Sequence, residues 1–356
     1  MQKTAICVKV LKKEGEKIIA LAIKLGILNK SLEIQRDEAS LCIPLVRQPD
    51  EDEIATLKNE VPDYQLETRT FTQKQPTAGT LMQTLGAKLP PHMLATLPQA
   101  FDIVGDIAIV EVPPELKSQE KLVGEAILET HKNIKTVLAK AGAIIGTFRL
   151  REFNFIAGEH KTQTIHREFG CQFHVDLAKA YFSPRLSHEH MRVASLVQEG
   201  ETVVDLFAGV GPFSVLIGKK NPKVKVYAVD LNPEAVELLK ANVRVNRVEN
   251  RVFPILGDAK QIATCKLKGS ADRVIMNLPE KAIEFVEAAC QAIKTEGGVI
   301  HFYGFVRYPD SAEKQKLRFS DAVEKAGRKV ETFLCVRSVR ETAPYESQIV
   351  LDAKIV

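Results

Sequence analysis

The sequence predicts an α/β protein whose C-terminal half is a Rossmann-like, doubly wound parallel sheet, preceded by two smaller α+β units. From about residue 171, apolar strand-like runs alternate with helical segments, which is typical of a parallel sheet with helices on both faces. A glycine-rich turn at 205–213 follows the first apolar run of this half. A polar segment with Gly and Pro, residues 69–90, separates the first of these units from the second.

Residues 1–68 predict a small N-terminal module. Helical spacing runs from Glu14 to Leu25 and ends at Gly26. Strands are expected near 5–10 and, around an Asp37-Glu38 turn, between 32 and 45. Residues 69–90 are polar and contain Gly and Pro, which predicts a linker.

Residues 91–170 predict a middle α+β domain. Two apolar runs flank a Gly-Asp turn at 105–106, a helix is expected from about 117 to 141, and the segments 147–156 and 162–169 predict a hairpin. Period-two alternation would place four side chains on one face of the first hairpin strand: Arg149, Arg151, Phe153 and Phe155.

Residues 171–356 predict the main sheet. Strands are expected near 203–207, 225–229, 252–256, 272–276, 298–303, 331–336 and 347–355, and helices at 212–219, 233–245, 281–294 and 312–326. The last two strands follow each other without a strong helix signal, which predicts a final antiparallel hairpin.

Composition is ordinary for a globular protein, with 45% hydrophobic and 26% charged residues. No run approaches the eighteen apolar residues of a membrane span, and the N-terminus has no secretory pattern. The six cysteines are scattered with no CxxC pair. We therefore expect reduced thiols in a cytoplasmic protein and no zinc or iron–sulfur site.

Positive charge is concentrated in the middle of the chain. Residues 131–192 hold ten Lys or Arg against five acids, although the whole chain carries only +4. Such a stripe fits a phosphate backbone, and charge alone fits a solvated basic face equally well.

The glycine-rich turn predicts a nucleoside site. The pattern Asp-x-Phe-x-Gly-x-Gly begins at Asp205, and a second strand ends at Asp230. An acid late in the second strand can bind the two ribose hydroxyls, at the sheet edge where such folds bind ligands. Asp205 would repel a pyrophosphate but not the cationic sulfonium of S-adenosylmethionine. This favours S-adenosylmethionine over a dinucleotide. The glycines Gly209 and Gly211 would admit its methionine part.

Two later strand ends extend this site. Asp258 is either a ligand of the adenine amino group or a helix N-cap. The segment Asn277-Leu278-Pro279-Glu280 lies where enzymes that methylate exocyclic amines have Asn-Pro-Pro and an aromatic residue. Glu280 replaces that ring, so a base remains a plausible substrate but an exocyclic amine fits less well.

A further segment precedes the sheet. Ser183 and Pro184 are expected to begin a helix, which would set Arg185 and Glu189 four residues apart on one face. That spacing fits an ordinary ion pair. It also fits a helix start beside the cofactor, with Glu189 as proton acceptor.

Together these residues resemble the archaeal and eukaryal tRNA (guanine-37 N1)-methyltransferase family, whose catalytic domain is a class I S-adenosylmethionine-dependent methyltransferase sheet. The most specific matches are Phe-Ser-Pro-Arg-Leu at 182–186, the turn at 205–213 and Asn-Leu-Pro at 277–279. The resemblance covers essentially the whole chain. It implies a monomer that binds tRNA at the anticodon loop and outer corner, with no membrane or DNA partner.

The resemblance also implies site residues. Glu189 would be the general base, Arg149 (or Arg151) would support guanine O6, and Asn277 would contact the guanine. The implied cofactor-binding set, which includes no metal ligand, is Tyr181, Arg185, Asp205, Phe207, Gly209, Gly211, Asp230, Leu231, Asn232, Asp258, Ala259, Asn277 and Pro279. Two alternatives stay open: an aminocarboxypropyl transferase of the wybutosine pathway, and a non-catalytic tRNA-binding protein with this fold.

Overall fold

The computed structural model describes residues 2–29, 31–37, 39–72, 81–98, 100–142, 146–307, 310–343 and 345–356. These residues form two compact units, one within 2–72 and the other within 81–356. None of the helices in these ranges is both long and apolar enough to cross a bilayer.

The N-terminal unit is a four-stranded antiparallel sheet with two helices. The strand order is β2-β3-β1-β4, and Ile18 and Leu57 from the two helices join the buried core with Val8 of β1. The helix predicted to end at Gly26 is confirmed, because Gly26 has a φ of 70° that suits glycine after a helix end. The elements are β1 Gln2–Leu11, α1 Gly15–Lys24, β2 Gln35–Arg36, β3 Ser40–Pro44, α2 Glu51–Glu60 and β4 Gln65–Thr72.

The predicted linker at 69–90 is shorter than expected. Strand β4 continues to Thr72 because residues 65–72 pair with β1. A short helix, α3, already begins at Leu81 and runs to Leu85. The intervening part of the predicted linker, residues 73–80, lies outside the described residues.

The second unit begins with a mixed four-stranded sheet in the order β5-β6-β7-β8. The single helix predicted over 117–141 is wrong, because its last part is strand β7, which pairs in parallel with β6. A six-residue 3-10 turn, Pro114–Gln119, precedes the helix that does form. The elements are α4 Pro91–Leu94, β5 Asp102–Val104, β6 Ile107–Val110, α5 Glu120–Thr130, β7 Thr136–Lys140 and β8 Phe153–Gly158.

The predicted hairpin of 147–156 with 162–169 is also wrong. Strand β8 pairs with β7, whereas β9, Gln163–Glu168, forms a hairpin with β10, Cys171–Asp176. Strand β8 begins only at Phe153, so Arg149 and Arg151 precede it and do not share its face. Arg149 has a φ of 57°, a left-handed conformation that no strand residue adopts.

The hairpin of β9 and β10 is anchored by two buried asparagines, Asn242 in the helix Pro233–Val245 and Asn246 at the C-cap of that helix. Asn242 and Asn246 each bind both the backbone N–H and the carbonyl of a β10 residue, with hydrogen bonds of 2.6–3.1 Å. The chain leaving β10 carries Tyr181 and Arg185 and is thereby held against the main sheet.

The main sheet has seven strands in the order β13-β12-β11-β14-β15-β17-β16. Five strands are parallel, and β17 inserts antiparallel between β15 and β16, which confirms the final hairpin. The elements are α6 Ser187–Leu196, β11 Thr202–Asp205, α7 Pro212–Lys220, β12 Lys225–Asp230, α8 Pro233–Val245, β13 Val252–Leu256, α9 Ala259–Gln261, β14 Arg273–Met276, α10 Val286–Ala292, β15 Gly298–Arg307, α11 Ala312–Lys325, β16 Val330–Ala343 and β17 Glu346–Ile355.

Candidate active site

A cleft that is partly open to solvent lies at the carboxyl ends of four neighbouring strands. The strand order reverses between β11 and β14, and open α/β sheets bind ligands at this point. The loop after each strand contributes to the walls. The predicted residues that line the cleft are Arg149, Tyr181, Phe207, Gly209, Asp230, Leu231, Asn232, Asp258, Ala259, Asn277 and Pro279.

Asp230 is held at the end of β12 by two backbone donors. Gly209 N–H donates to Oδ2 at 2.7 Å and Asn232 N–H donates to Oδ1 at 2.9 Å. Burial raises the pKa of Asp230, although these backbone hydrogen bonds act in the opposite direction. Each carboxylate oxygen can accept a second hydrogen bond, so this side chain can bind a pair of hydroxyl groups in the cleft.

Asp205 and Gly211 are positioned away from the cleft. Asp205 is 1% exposed and accepts a hydrogen bond from Ser214 Oγ at 2.7 Å, and burial raises its pKa to about 7. Gly211 has a φ of 91°, and a Cβ there would lie 2.3 Å from Leu239 Cδ1. Both residues belong to the turn but do not line the cleft. Direct contact with the cofactor was expected of them.

The outer loops combine helix caps with an apolar wall. Asp258 Oδ1 caps the next helix by accepting from Gln261 N–H at 3.0 Å, so the N-cap reading is confirmed, and the residue also lines the cleft. Phe207 and Phe285 meet edge to face with ring centroids 4.9 Å apart. Both rings line the cleft and give it an apolar wall against which an aromatic base can pack.

A second cavity, partly open to solvent, adjoins the cleft. Five cationic and four anionic side chains line it: Lys140, Arg149, Arg151, Arg185, Arg340, Asp102, Glu280, Glu341 and Glu346. Arg149, Tyr181 and Arg340 line both spaces. The Arg149 guanidinium lies 5.3 Å from the Tyr181 ring centroid, and its Nη1 is 2.8 Å from Glu280 Oε2. Arg149 therefore places a positive charge at the junction of the two spaces, in a side chain only 14% exposed.

Arg151 and Arg185 line the second cavity but not the cleft. Arg151 Nη1 donates to the Gly142 carbonyl at 2.7 Å. The expected ion pair between Arg185 and Glu189 is wrong, because Arg185 Nε lies 2.6 Å from Asp102 Oδ1. Arg185 was expected at the cofactor and is instead placed on the far side of Tyr181.

Glu189 lies in the first turn of α6 and is 2% exposed. Its carboxylate accepts hydrogen bonds from Arg192 and from Tyr303 Oη at 2.7 Å, and it forms an ion pair with Arg337. Burial favours the neutral acid, but these donors outweigh it and hold the pKa of Glu189 below its ordinary value. Glu189 is not among the described residues that line the cleft or the second cavity.

A buried polar network continues behind Glu189. Arg192 also pairs with Asp352 at 2.6 Å, and Asp352 Oδ1 lies 2.6 Å from His301 Nδ1. Arg273 Nη1 is 2.9 Å from His301 Nε2. Because arginine can only donate, Nε2 accepts and His301 is neutral with its proton on Nδ1. Burial lowers the pKa of His301 in agreement with this tautomer.

Three comparisons decide the family. Residues 164–334 match the TRM5/TYW2 methyltransferase domain, 81–162 the TYW2 N-terminal domain and 7–53 the tRNA methyltransferase 5 N-terminal domain. The tRNA (guanine(37)-N(1))-methyltransferase Trm5b of Pyrococcus abyssi is 42% identical over 350 residues, covering 98% of this chain and 99% of the relative. The chain belongs to the archaeal and eukaryal tRNA (guanine-37 N1)-methyltransferase family.

Solved structures agree with this assignment to the family. The crystal structure of wild-type Trm5b from P. abyssi superposes with a TM-score of 0.72 at 41% identity, covering 99% of each chain. A complex of aTrm5 with tRNALeu superposes with a TM-score of 0.67 at 34% identity, covering 99% of this chain and 100% of that one. The class I methyltransferase fold expected from the sequence is thereby confirmed.

The methyltransferase site also contains residues that sequence reasoning missed. Arg340 of β16 donates to Tyr181 Oη at 3.1 Å and to Ser183 Oγ at 2.7 Å. Gln348 of β17 links Arg340 to Asn277, through hydrogen bonds of 2.8 and 3.2 Å. The last hairpin thus orients the side chains on both sides of the cleft.

Proposed function

We propose that this protein transfers the methyl group of S-adenosylmethionine to N1 of guanosine 37 in tRNA. The observation that carries the proposal is the junction at Arg149, a cation that lines both the cleft at the strand ends and the second cavity with its five cationic and four anionic side chains. One space suits the methyl donor and the other suits a nucleotide with its phosphates. A group at the junction would touch both reactants.

The donor groups of the cleft fit S-adenosylmethionine. Asp230 would accept from the ribose hydroxyls, Asp258 from the adenine amino group, and the rings of Phe207 and Phe285 would flank the adenine. Gly209 has room beside it, because a Cβ there would meet only the Tyr181 carbonyl oxygen, at 3.7 Å. When bound, S-adenosylmethionine supplies a methyl group on a cationic sulfur.

Arg149 is the better-placed candidate for the O6 ligand, because Arg149 lines the cleft and Arg151 does not. Loss of the N1 proton moves negative charge onto O6, and a fixed guanidinium stabilises that charge where it develops. In this structure the Glu280 carboxylate is paired with Arg149. Guanine O6 would therefore displace that carboxylate from the guanidinium. Asn277, oriented by Gln348, would bind the rest of the guanine edge.

Glu189 is the proposed general base. Guanine N1 keeps its proton at neutral pH and must lose it to become a nucleophile, and a positioned carboxylate acceptor contributes typically ~100- to 10,000-fold. The carboxylate would first have to leave Arg192, Tyr303 and Arg337 to reach the cleft.

The test is methyl transfer to tRNA transcripts with guanosine or inosine at position 37, by wild type and by Glu189→Gln. We expect wild type to act on both bases, because both have N1 and O6. Glu189→Gln should lose most turnover, about 100-fold or more, yet bind S-adenosylmethionine normally because Glu189 lies outside the cleft. Full turnover by this variant would remove the base assignment.

The match of residues 81–162 to the TYW2 N-terminal domain keeps aminocarboxypropyl transfer as a second candidate. Product mass separates the two, since one adds a methyl group and the other a much larger group. A tRNA that gains neither group would instead support a non-catalytic tRNA-binding protein.

The domain division and the setting are part of the proposal. Residues 1–68 would contact the outer corner of tRNA, 91–170 would bind RNA and 171–356 would carry catalysis at the anticodon loop, in a monomer. All six cysteines are free, which supports a reducing, cytoplasmic setting.

A further inference from the structure

Two cysteines that are far apart in the sequence meet a glutamate on the N-terminal sheet. Cys7 of β1 lies opposite Glu67 of β4, and Cys42 of β3 lies opposite Lys9, two residues from Cys7 on the same face. The two Sγ atoms and a Glu67 carboxylate oxygen all lie within 4.8 Å of one another. The sheet therefore brings three potential metal ligands together from three adjacent strands.

The spacing of these atoms suits a tetrahedral ion. Cys42 Sγ is 3.7 Å from Glu67 Oε1 and 4.0 Å from Asp37 Oδ2. Zinc bonds of about 2.3 Å to sulfur and about 2.0 Å to oxygen give a tetrahedron with edges of about 3.5–3.8 Å. The two separations from Cys42 Sγ exceed these edges by only a few tenths of an ångström, and Asp37 lies next to Cys42.

We propose that the N-terminal unit binds a zinc-type divalent ion through Cys7, Cys42 and Glu67, with Asp37 or a water molecule completing the shell. Two thiolates with one or two carboxylates select a soft or borderline metal such as zinc over magnesium or calcium. Both thiols are fully buried beside Leu32 and Phe71. Structural zinc sites are closed whereas catalytic ones keep an open position, and the burial of both thiols favours a structural site.

Arg69 is compatible with this site because the charges balance. Its Nε lies 2.5 Å from Glu67 Oε1, and its Nη1 lies 3.0 Å from Asp37 Oδ2. Coordination releases one proton from each of the two thiols. The divalent ion supplies the two positive charges that the departing protons remove, so the net charge of the cluster is unchanged. Arg69 can then stay as an outer partner that orients the two carboxylates.

Cadmium, a spectroscopic substitute for zinc, tests the proposal on the full-length, reduced, metal-free chain. We expect one equivalent to produce the ultraviolet thiolate-to-cadmium charge-transfer band, and zinc to compete it away. Cys7→Ser and Cys42→Ser should each lose the band. Cys265→Ser is the matched control, since Cys265 is an exposed thiol in the other unit and should leave the band intact.

Glu67→Gln keeps both thiols and covers the case in which a cysteine variant fails to fold. Far-ultraviolet circular dichroism checks its fold, and we expect its zinc affinity to fall at least about tenfold. An unchanged affinity in Glu67→Gln, no saturable band in wild type, or a band that survives in both cysteine variants would each overturn the site.

Discussion

Replacing each of the two glycines of the cofactor turn by alanine should affect stability and cofactor binding differently. Both have positive φ, 56° at Gly209 and 91° at Gly211. A Cβ at Gly209 meets only the Tyr181 carbonyl oxygen at 3.7 Å, whereas one at Gly211 would lie 2.3 Å from Leu239 Cδ1 and 3.3 Å from Val215 Cγ2. Leu239 is fully buried, so it has little room to move.

The magnitudes follow from these environments. Gly209→Ala should lower the free energy of unfolding by roughly 1 kcal/mol, the cost of a left-handed conformation for a residue with a Cβ. Gly211→Ala adds overpacking of about 1–3 kcal/mol to a larger backbone strain, for a total of roughly 3–5 kcal/mol. Because Gly209 lines the cleft and Gly211 does not, only Gly209→Ala should weaken S-adenosylmethionine binding directly.

Urea unfolding followed by far-ultraviolet circular dichroism measures the stability term, since the chain contains no tryptophan. Calorimetric titration with S-adenosylmethionine at a temperature where both variants are folded measures the binding term. Equal losses of stability in the two variants, or a folded Gly211→Ala variant that binds the cofactor worse than Gly209→Ala does, would refute the division of roles argued here.

Three further changes test other parts of the site. Asp230→Asn should weaken S-adenosylmethionine binding about 10- to 100-fold in the same titration, since hydrogen bonds to charged groups contribute ~1.5–3 kcal/mol; unchanged affinity would contradict the ribose assignment. The pKa of Asp205 is about 7 in the fold, above its ordinary 3.8. Wild type should therefore lose stability relative to Asp205→Asn as pH rises from about 4 to 7, by up to roughly 4 kcal/mol. A difference in unfolding free energy between the two proteins that stays constant across this range, measured by urea unfolding, would contradict the raised pKa. Arg149→Lys should lower kcat about 100- to 1,000-fold while Arg151→Lys leaves it near wild type, and the reverse order in single-turnover methylation would move the O6 ligand to Arg151.

The main sheet could be predicted because its signals are local. Strands such as 225–230 and 252–256 are short apolar runs followed by helices with side-chain N-caps at Asn232 and Asp258. Each of the seven expected strands overlaps an observed one. The predicted helix over 117–141 failed because its last part, Thr136–Lys140, is a buried strand. A short apolar run there has no periodicity that separates strand from helix.

Partners distant in sequence could not be predicted in this way. Arg185 pairs with Asp102, 83 positions away, rather than with Glu189 four positions away. Arg340 and Gln348 reach the cleft only because β17 inserts between β15 and β16. The absence of a CxxC motif likewise says nothing about Cys7 and Cys42, which sheet pairing brings together. One local signal was overlooked: Asp50 and Glu53 form a capping box that begins α2.

The resting position of Glu189 bears on how a base of this kind could work. Arg192 and Arg337 hold its pKa below the ordinary value, which makes the carboxylate a poor proton acceptor where it now lies. Each unit by which the pKa rises represents 1.36 kcal/mol of proton affinity. Moving the Glu189 carboxylate toward a nucleotide would separate it from both arginines and raise its basicity. The movement that brings the carboxylate to the substrate would therefore also make it a better proton acceptor. Arg192 would remain neutralised by Asp352, and the network behind it would therefore not be left with an unpaired buried charge when Glu189 departs.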